Sequence, residues 1–278
     1  MTRVAVAGLG LIGGSVALGA RARGWDRDAE VRGEARRRGI DAGDALADAV
    51  DGAELVVAAV PTAETPALLG EIARLAPRAT LTDCASLKTP VVDAARNLPE
   101  AARLVAGHPM AGGRGRGVAG ADPALFRGRP WALVRTTRSD DASFAEIEAF
   151  VRSLGARPFE IDASRHDRAM TWVSHLPLAV SAALARAAAA GGGADVHVLA
   201  GPGLLDATRL AGGPPELALE LVLGGGGGAL ADAIASVRDE LSRLAAALSA
   251  RDARTLRTLF EEAESLRRSL ERGPSTAG

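Results

Sequence analysis

Apolar positions along the 278-residue chain change their rhythm once, near residue 162. Before that point they gather in short runs, at residues 3–7, 54–60, 80–83, 104–107, 131–134 and 157–161. Short apolar runs bounded by turn formers predict strands buried on both faces, as in a parallel sheet. Helical spacing fills several of the gaps, at about 16–23, 65–75 and 143–154. Beyond residue 162 the helical period takes over. Residues 165–190 read as one long helix, and from 229 to about 270 leucines such as Leu230, Leu241, Leu248 and Leu266 recur on one helical stripe, as core or subunit interface. Asp252 is placed to cap the second of two helices there. The pattern predicts a doubly wound, mostly parallel α/β domain of the Rossmann type over 1–162, an all-α domain over 163–272, and a disordered tail over 273–278.

The first run leads into Gly8, Leu9, Gly10, Leu11, Ile12 and Gly13, a G-x-G-x-x-G turn between a strand and a helix. In that context Gly8 permits the tight turn, Gly10 lets a pyrophosphate approach the backbone, and Gly13 lets helix and strand pack closely. The helix N-terminus adds unpaired N–H groups and the positive end of a dipole. A dinucleotide is therefore expected. The acid that binds its ribose has two candidate positions. Asp26 resembles a strand-end acid with almost no strand before it, whereas Glu34 follows a better short strand at 29–33 but leaves little chain for the next helix. An acid there favours NAD; Arg27, Arg32 or Arg36 could instead receive the extra phosphate of NADP. Val60 and Pro61, at the end of the 54–60 run, complete the expected cofactor edge.

Composition narrows the classes. A net charge of −1 gives no basic surface for nucleic acid or anionic membrane, and aromatic content of 3% with no tyrosine argues against stacking on single strands. No leader segment and no membrane span is expected, so the chain reads as cytoplasmic. One cysteine, Cys84, excludes an internal disulfide and a cysteine-based zinc site; it reads as a small apolar residue at a strand end, and no metal is expected. Of 33 basic residues just one is lysine, Lys88. It lies in Asp83-Cys84-Ala85-Ser86-Leu87-Lys88, shortly before Gly107-His108-Pro109-Met110-Ala111-Gly112. Both segments leave the C-terminal ends of predicted strands, where open α/β sheets bind ligands. A hydroxyl, an ammonium and an imidazole thus converge where a nicotinamide would lie, which suggests a dehydrogenase with His108 as base. Ser86 would orient a substrate hydroxyl and the imidazole, or cap the helix after it, or both. Lys88 reads as an anchoring cation rather than a catalyst.

With these residues in place the chain resembles the prephenate/arogenate dehydrogenase family. The resemblance rests on residues 8–15, 83–88 and 107–112, on 126–131, on His166-Asp167-Arg168 with Ser174-His175-Leu176-Pro177, and on Asp206-Ala207-Thr208-Arg209, in the family's order. It implies NAD- or NADP-dependent oxidative decarboxylation of a cyclohexadienol, and a homodimer formed through the helical domain. It also selects His175 and Arg209 as substrate-binding residues. Read from spacing alone, Arg209 could instead pair with Asp206. His166 and His175, nine apart, fall on nearly opposite faces of a straight helix, so His166 is left near the helix start. Pro177 should kink that helix.

The chain departs from the family after Arg209, where Gly212-Gly213-Pro214-Pro215 replaces the usual stretch, and at the five glycines 224–228, which should interrupt a helix. The glycine- and arginine-rich loop 112–120 reads as mobile. Two other functions compete: a dehydrogenase of 4-amino-4-deoxyprephenate with the same mechanism, and a dinucleotide binder without catalysis. A β-hydroxyacid dehydrogenase is disfavoured, because no lysine follows Lys88.

Overall fold

The computed structural model describes residues 2–113, 115–224 and 227–272. Seven strands form one sheet in the order β2-β1-β3-β4-β5-β6-β7. They are β1 (Val4–Ala7), β2 (Arg23–Trp25), β3 (Leu55–Ala58), β4 (Thr80–Asp83), β5 (Arg103–Pro109), β6 (Pro130–Arg135) and β7 (Arg157–Glu160). All neighbours pair in parallel except β5 and β6. Alternate residues of β1 serve opposite faces: Ala5 and Ala7 join a core with Leu69, Ile72 and Val91, while Val6 joins one with Val16, Phe150 and Val151. Helices covering the faces are α1 (Leu11–Ala20), α2 (Ala29–Arg37), α3 (Leu46–Val50), α4 (Thr65–Leu75), α5 (Thr89–Ala95) and α6 (Asp141–Ser153). Helix α1 begins earlier than the apolar spacing predicts and ends before Arg23, which lies in β2. The helical reading of 16–23 overran because Arg21, at φ 51°, reverses the chain.

The two candidate positions for the ribose acid differ in their local structure. Residues 29–33 form no strand: Asp28 accepts a hydrogen bond from the N–H of Glu30 and starts α2, and Glu34 lies on that helix against Arg37. Asp26 directly follows β2.

Beyond the sheet the chain is helical. Helix α7 (Ala163–Met170) passes through a π-helical turn, Thr171–His175, into α8 (Leu176–Gly191). The expected single helix is interrupted there for a stated reason: Pro177 has no N–H to donate, and its ring clashes with the carbonyl four residues earlier, so the preceding turn widens. This stretch, 163–191, is long and apolar enough to cross a membrane by length and composition, which the sequence reading did not anticipate. Then come α9 (Asp195–Leu199), α10 (Pro202–Ala207), α11 (Pro215–Gly224), α12 (Gly227–Ser249) and α13 (Ala253–Arg272). The glycine run does separate two helices; its middle residues, 225–226, and the tail 273–278 lie outside the described residues. Gly224 abuts Leu87 of the sheet domain, where an added Cβ would come within 2.9 Å of Leu87 Cδ1. Asp252 caps α13 through the N–H of Thr255 at 3.0 Å. Of the leucine stripe, Leu230 is buried, whereas Leu241, Leu248 and Leu266 are exposed on the single chain.

Past Leu81 strands β4 and β5 no longer pair. A fully buried ion pair, Asp83 with Lys88, bridges the opening. Asp83 Oδ1 accepts from the N–H of Gly107 at 2.9 Å, and Lys88 Nζ donates to the Gly107 carbonyl at 2.6 Å. Both backbone groups of the residue before His108 are thereby fixed. The lone lysine is explained: one compact ammonium serves two buried acceptors at once. Replacing Lys88 by Met leaves Asp83 buried without its partner, which should cost about 3–5 kcal/mol. Thermal unfolding checks this: a midpoint lowered by roughly 6–20 °C is expected, and a change under about 2 °C would contradict it.

Candidate active site

The glycine turn has the geometry that a dinucleotide needs. Gly8 has φ +96° and sits so close to Ala59 that a Cβ would lie 2.5 Å from its carbonyl oxygen. At Gly13 a Cβ would lie 1.8 Å from the Gly8 oxygen, whereas beside Gly10 there is open space. Gly10 caps α1 without any side chain, leaving the first-turn N–H groups for a ligand. Asp26 Oδ2 accepts from the N–H of Leu9 at 2.8 Å, tying the β2 end to this turn. β1 is the switch point of the sheet, with β2 on one side and β3, followed by Val60 and Pro61, on the other. The arginines offered as receptors for an extra phosphate are engaged elsewhere: Arg27 with Glu64 at 2.8 Å, Arg32 with the carbonyls of Asp26 and Arg27, Arg36 with Asp44. Val118 and Ala121 lie against Gly14 of α1. Arg38 donates to the carbonyls of Ala119 and Ala121, and Ser15 Oγ accepts from the N–H of Asp122 at 2.9 Å.

His108 lies near the end of β5, paired across to Ala132, and is 8% exposed. Its Nδ1 is 2.9 Å from Nε2 of His166, and Nδ1 of His166 is 2.7 Å from Oδ1 of Asp167. Asp167 also accepts from the N–H groups of Lys88 at 2.8 Å and Thr89 at 2.9 Å, so it caps α5 from the helical half. Among the described residues His108 Nε2 has no hydrogen-bond partner. His175 is 1% exposed, and its Nε2 is buried with no partner among the described residues.

Several expectations change here. Ser86 does not cap α5, because Asp167 does; its hydroxyl is half-buried and makes no hydrogen bond to His108. His166 and His175 are not on one straight helix: a wider turn lies at Thr171–His175, and both rings are buried and act electrostatically on His108. His166 and Asp167 form the chain of contacts to His108 that helical spacing missed. Their sequence signal was the His166-Asp167-Arg168 segment on which the family resemblance partly rests. Arg209 is exposed on a 3₁₀ turn, Arg209–Gly212, unpaired with Asp206. That turn is held by Ser181, whose hydroxyl accepts from the N–H of Ala211 at 3.1 Å, and by Arg116, which donates to the Gly212 carbonyl at 2.9 Å.

Burial first, then the Lys88 ammonium and the neighbouring His166 and His175, hold the His108 imidazolium well below its usual range; Asp167 opposes them. Burial likewise lowers His175. For Asp167 burial acts upward, but the hydrogen bonds from His166, Lys88 and Thr89 outweigh it and hold the carboxyl at about 2. Burial and the nearby Asp83 push the Cys84 thiol up, which leaves it inert.

A glycine turn at the switch point and a neutral imidazole at the same sheet edge define a dinucleotide-dependent dehydrogenase. Residues 17–160 match the family "Prephenate dehydrogenase, nucleotide-binding domain", and residues 162–262 match "Prephenate dehydrogenase, dimerization domain". The chain belongs to the prephenate dehydrogenase family. It is 31% identical to the prephenate dehydrogenase of Bacillus subtilis (strain 168) over 79% of this chain, and spans 63% of that relative's length. Crystal structures of similar shape include Synechocystis arogenate dehydrogenase (TM-score 0.79, 30% identity, 96% of this chain and 99% of that one). Another is prephenate dehydrogenase from A. aeolicus in complex with hydroxyphenyl propionate and NAD+ (TM-score 0.86, 25% identity, 96% and 97%).

A base held neutral by burial works below its ordinary range. The acid limb of kcat/KM, read from pH 4.5 to 9, should therefore fall below pH 6.5; a limb above 6.5 would contradict the electrostatics of His108.

Proposed function

We propose that the chain oxidatively decarboxylates prephenate or arogenate, with NAD as hydride acceptor, in tyrosine biosynthesis. The observation that carries this reading is His108: buried at the sheet edge, neutral, with Nδ1 engaged and Nε2 free. Gly8 to Gly13 receive the pyrophosphate, Asp26 the adenosine ribose, and Val60 and Pro61 flank the cofactor. His108 takes the proton from the substrate's 4-hydroxyl. Bound NAD accepts the hydride from the same carbon, and loss of the ring carboxylate as carbon dioxide leaves an aromatic ring. Ser86 orients the hydroxyl. The Nε2 of His175, without a partner among the described residues, meets the substrate's polar groups, and Arg209, whose guanidinium has no ion partner among the described residues, binds a carboxylate in bidentate fashion. The relatives named above are prephenate or arogenate dehydrogenases, which favours the hydroxyl substrate over its amino counterpart.

The domain division falls at residue 162, and the helical half forms a cytoplasmic homodimer. Exposed Leu223, Leu241, Leu248 and Phe260 supply apolar surface for that contact. The apolar stretch 163–191 belongs to the same arrangement rather than to a membrane, since it carries the buried His166 and its half-buried partner Asp167.

Nicotinamide reduction, followed by absorbance with prephenate and arogenate separately against NAD and NADP, tests the reading. Turnover with NAD and one of the two dienols is expected, and its absence from all four combinations would overturn it. His108→Ala should lower kcat about 10²–10⁴-fold with NAD affinity unchanged.

A further inference from the structure

The hydrogen-bond inventory of the histidine chain fixes more than distances. Asp167 is an ionised, acceptor-only group, so the atom facing it, Nδ1 of His166, must donate. A neutral imidazole that donates through one nitrogen accepts through the other, so Nε2 of His166 accepts. Its neighbour 2.9 Å away, Nδ1 of His108, must then carry the proton. Nε2 of His108 is left with a lone pair and no partner among the described residues. We propose that Asp167 and His166 are positioning residues that set the tautomer of His108, making Nε2 the basic atom, and that they do so only when the helical half is docked on α5.

The coupling to docking follows from the same carboxylate. Asp167 caps α5 through Lys88 and Thr89, and α5 begins directly after the Ser86–Lys88 turn. The acid in the middle of α7 therefore cannot hold His166 without also holding this turn. Leu87, in the same turn, packs against Gly224 of the helical half. If His166 were protonated instead, its Nε2–H would donate to Nδ1 of His108 and force the proton onto Nε2, the form that cannot act as base. The charged and titratable groups facing His108 are Lys88, His166, Asp167 and His175; among them only Asp167 is negative.

This inference rests on His108 being the base, and three variants separate the two. His166→Phe keeps a ring but removes the acceptor, and kcat should fall about 10–100-fold, with KM and NAD affinity changed less than about threefold. His166→Gln restores the polarity, since its carbonyl oxygen accepts from Nδ1 of His108 and its amide donates to Asp167, and should recover most of that loss. Asp167→Asn should lower kcat similarly and move the acid limb to lower pH, because the charge that raises His108 is gone. If His108→Ala abolishes turnover while His166→Phe keeps wild-type kcat and pH profile, the positioning role alone is overturned. If His108→Ala retains turnover, both readings fall. Equal losses in the Phe and Gln variants, in protein that still binds NAD, would show a packing role and also overturn the proposal.

Discussion

The site depends on a buried ion pair at the mouth of the sheet. Asp83 and Lys88 stand where β4 and β5 part, and they replace the lost ladder by holding both backbone groups of Gly107. Burying two charges is expensive and contributes little net stability. What it supplies is position: the strand is splayed enough to open a crevice, yet the next residue, His108, cannot drift. An all-apolar edge could not satisfy the Gly107 groups, and a closed ladder would leave no crevice.

A second carboxylate completes the arrangement from the other domain. Asp83 fixes the backbone beside His108, whereas Asp167, acting through His166, fixes its ring. The two acids meet at Lys88, whose Nζ binds one and whose N–H binds the other. One residue thus joins strand, turn, helix α5 and the helical half, which is why so arginine-rich a chain keeps a single lysine there. The π-helical turn before Pro177 lies between His166 and His175, both of which act electrostatically on His108.

Much of this was legible in the sequence. The glycine turn, the strand runs and the His108 segment announce themselves through local pattern, because buried parallel strands and phosphate turns are locally encoded. Family resemblance then selected His175 and Arg209. Three things were not legible, each for a physical reason. Three-residue β2 is too short to register as a run, so a helix with an apolar start competed for the ribose acid. The role of His166 was hidden because a constant 100° per residue fails across a π turn. The cap of α5 was hidden, since a sequence that offers Ser86 either as orienter or as cap does not show that an acid 79 residues away will occupy those N–H groups.

Nitrogen-15 NMR of the ring nitrogens, in wild-type protein labelled at histidine, tests the central claim most directly. With His108 and His166 assigned through single substitutions, at neutral pH, both rings should show a pyrrole-type Nδ1 bearing hydrogen and a pyridine-type Nε2. A His108 ring protonated at Nε2, or an even mixture of tautomers, would contradict the account that two carboxylates prepare this imidazole as a base.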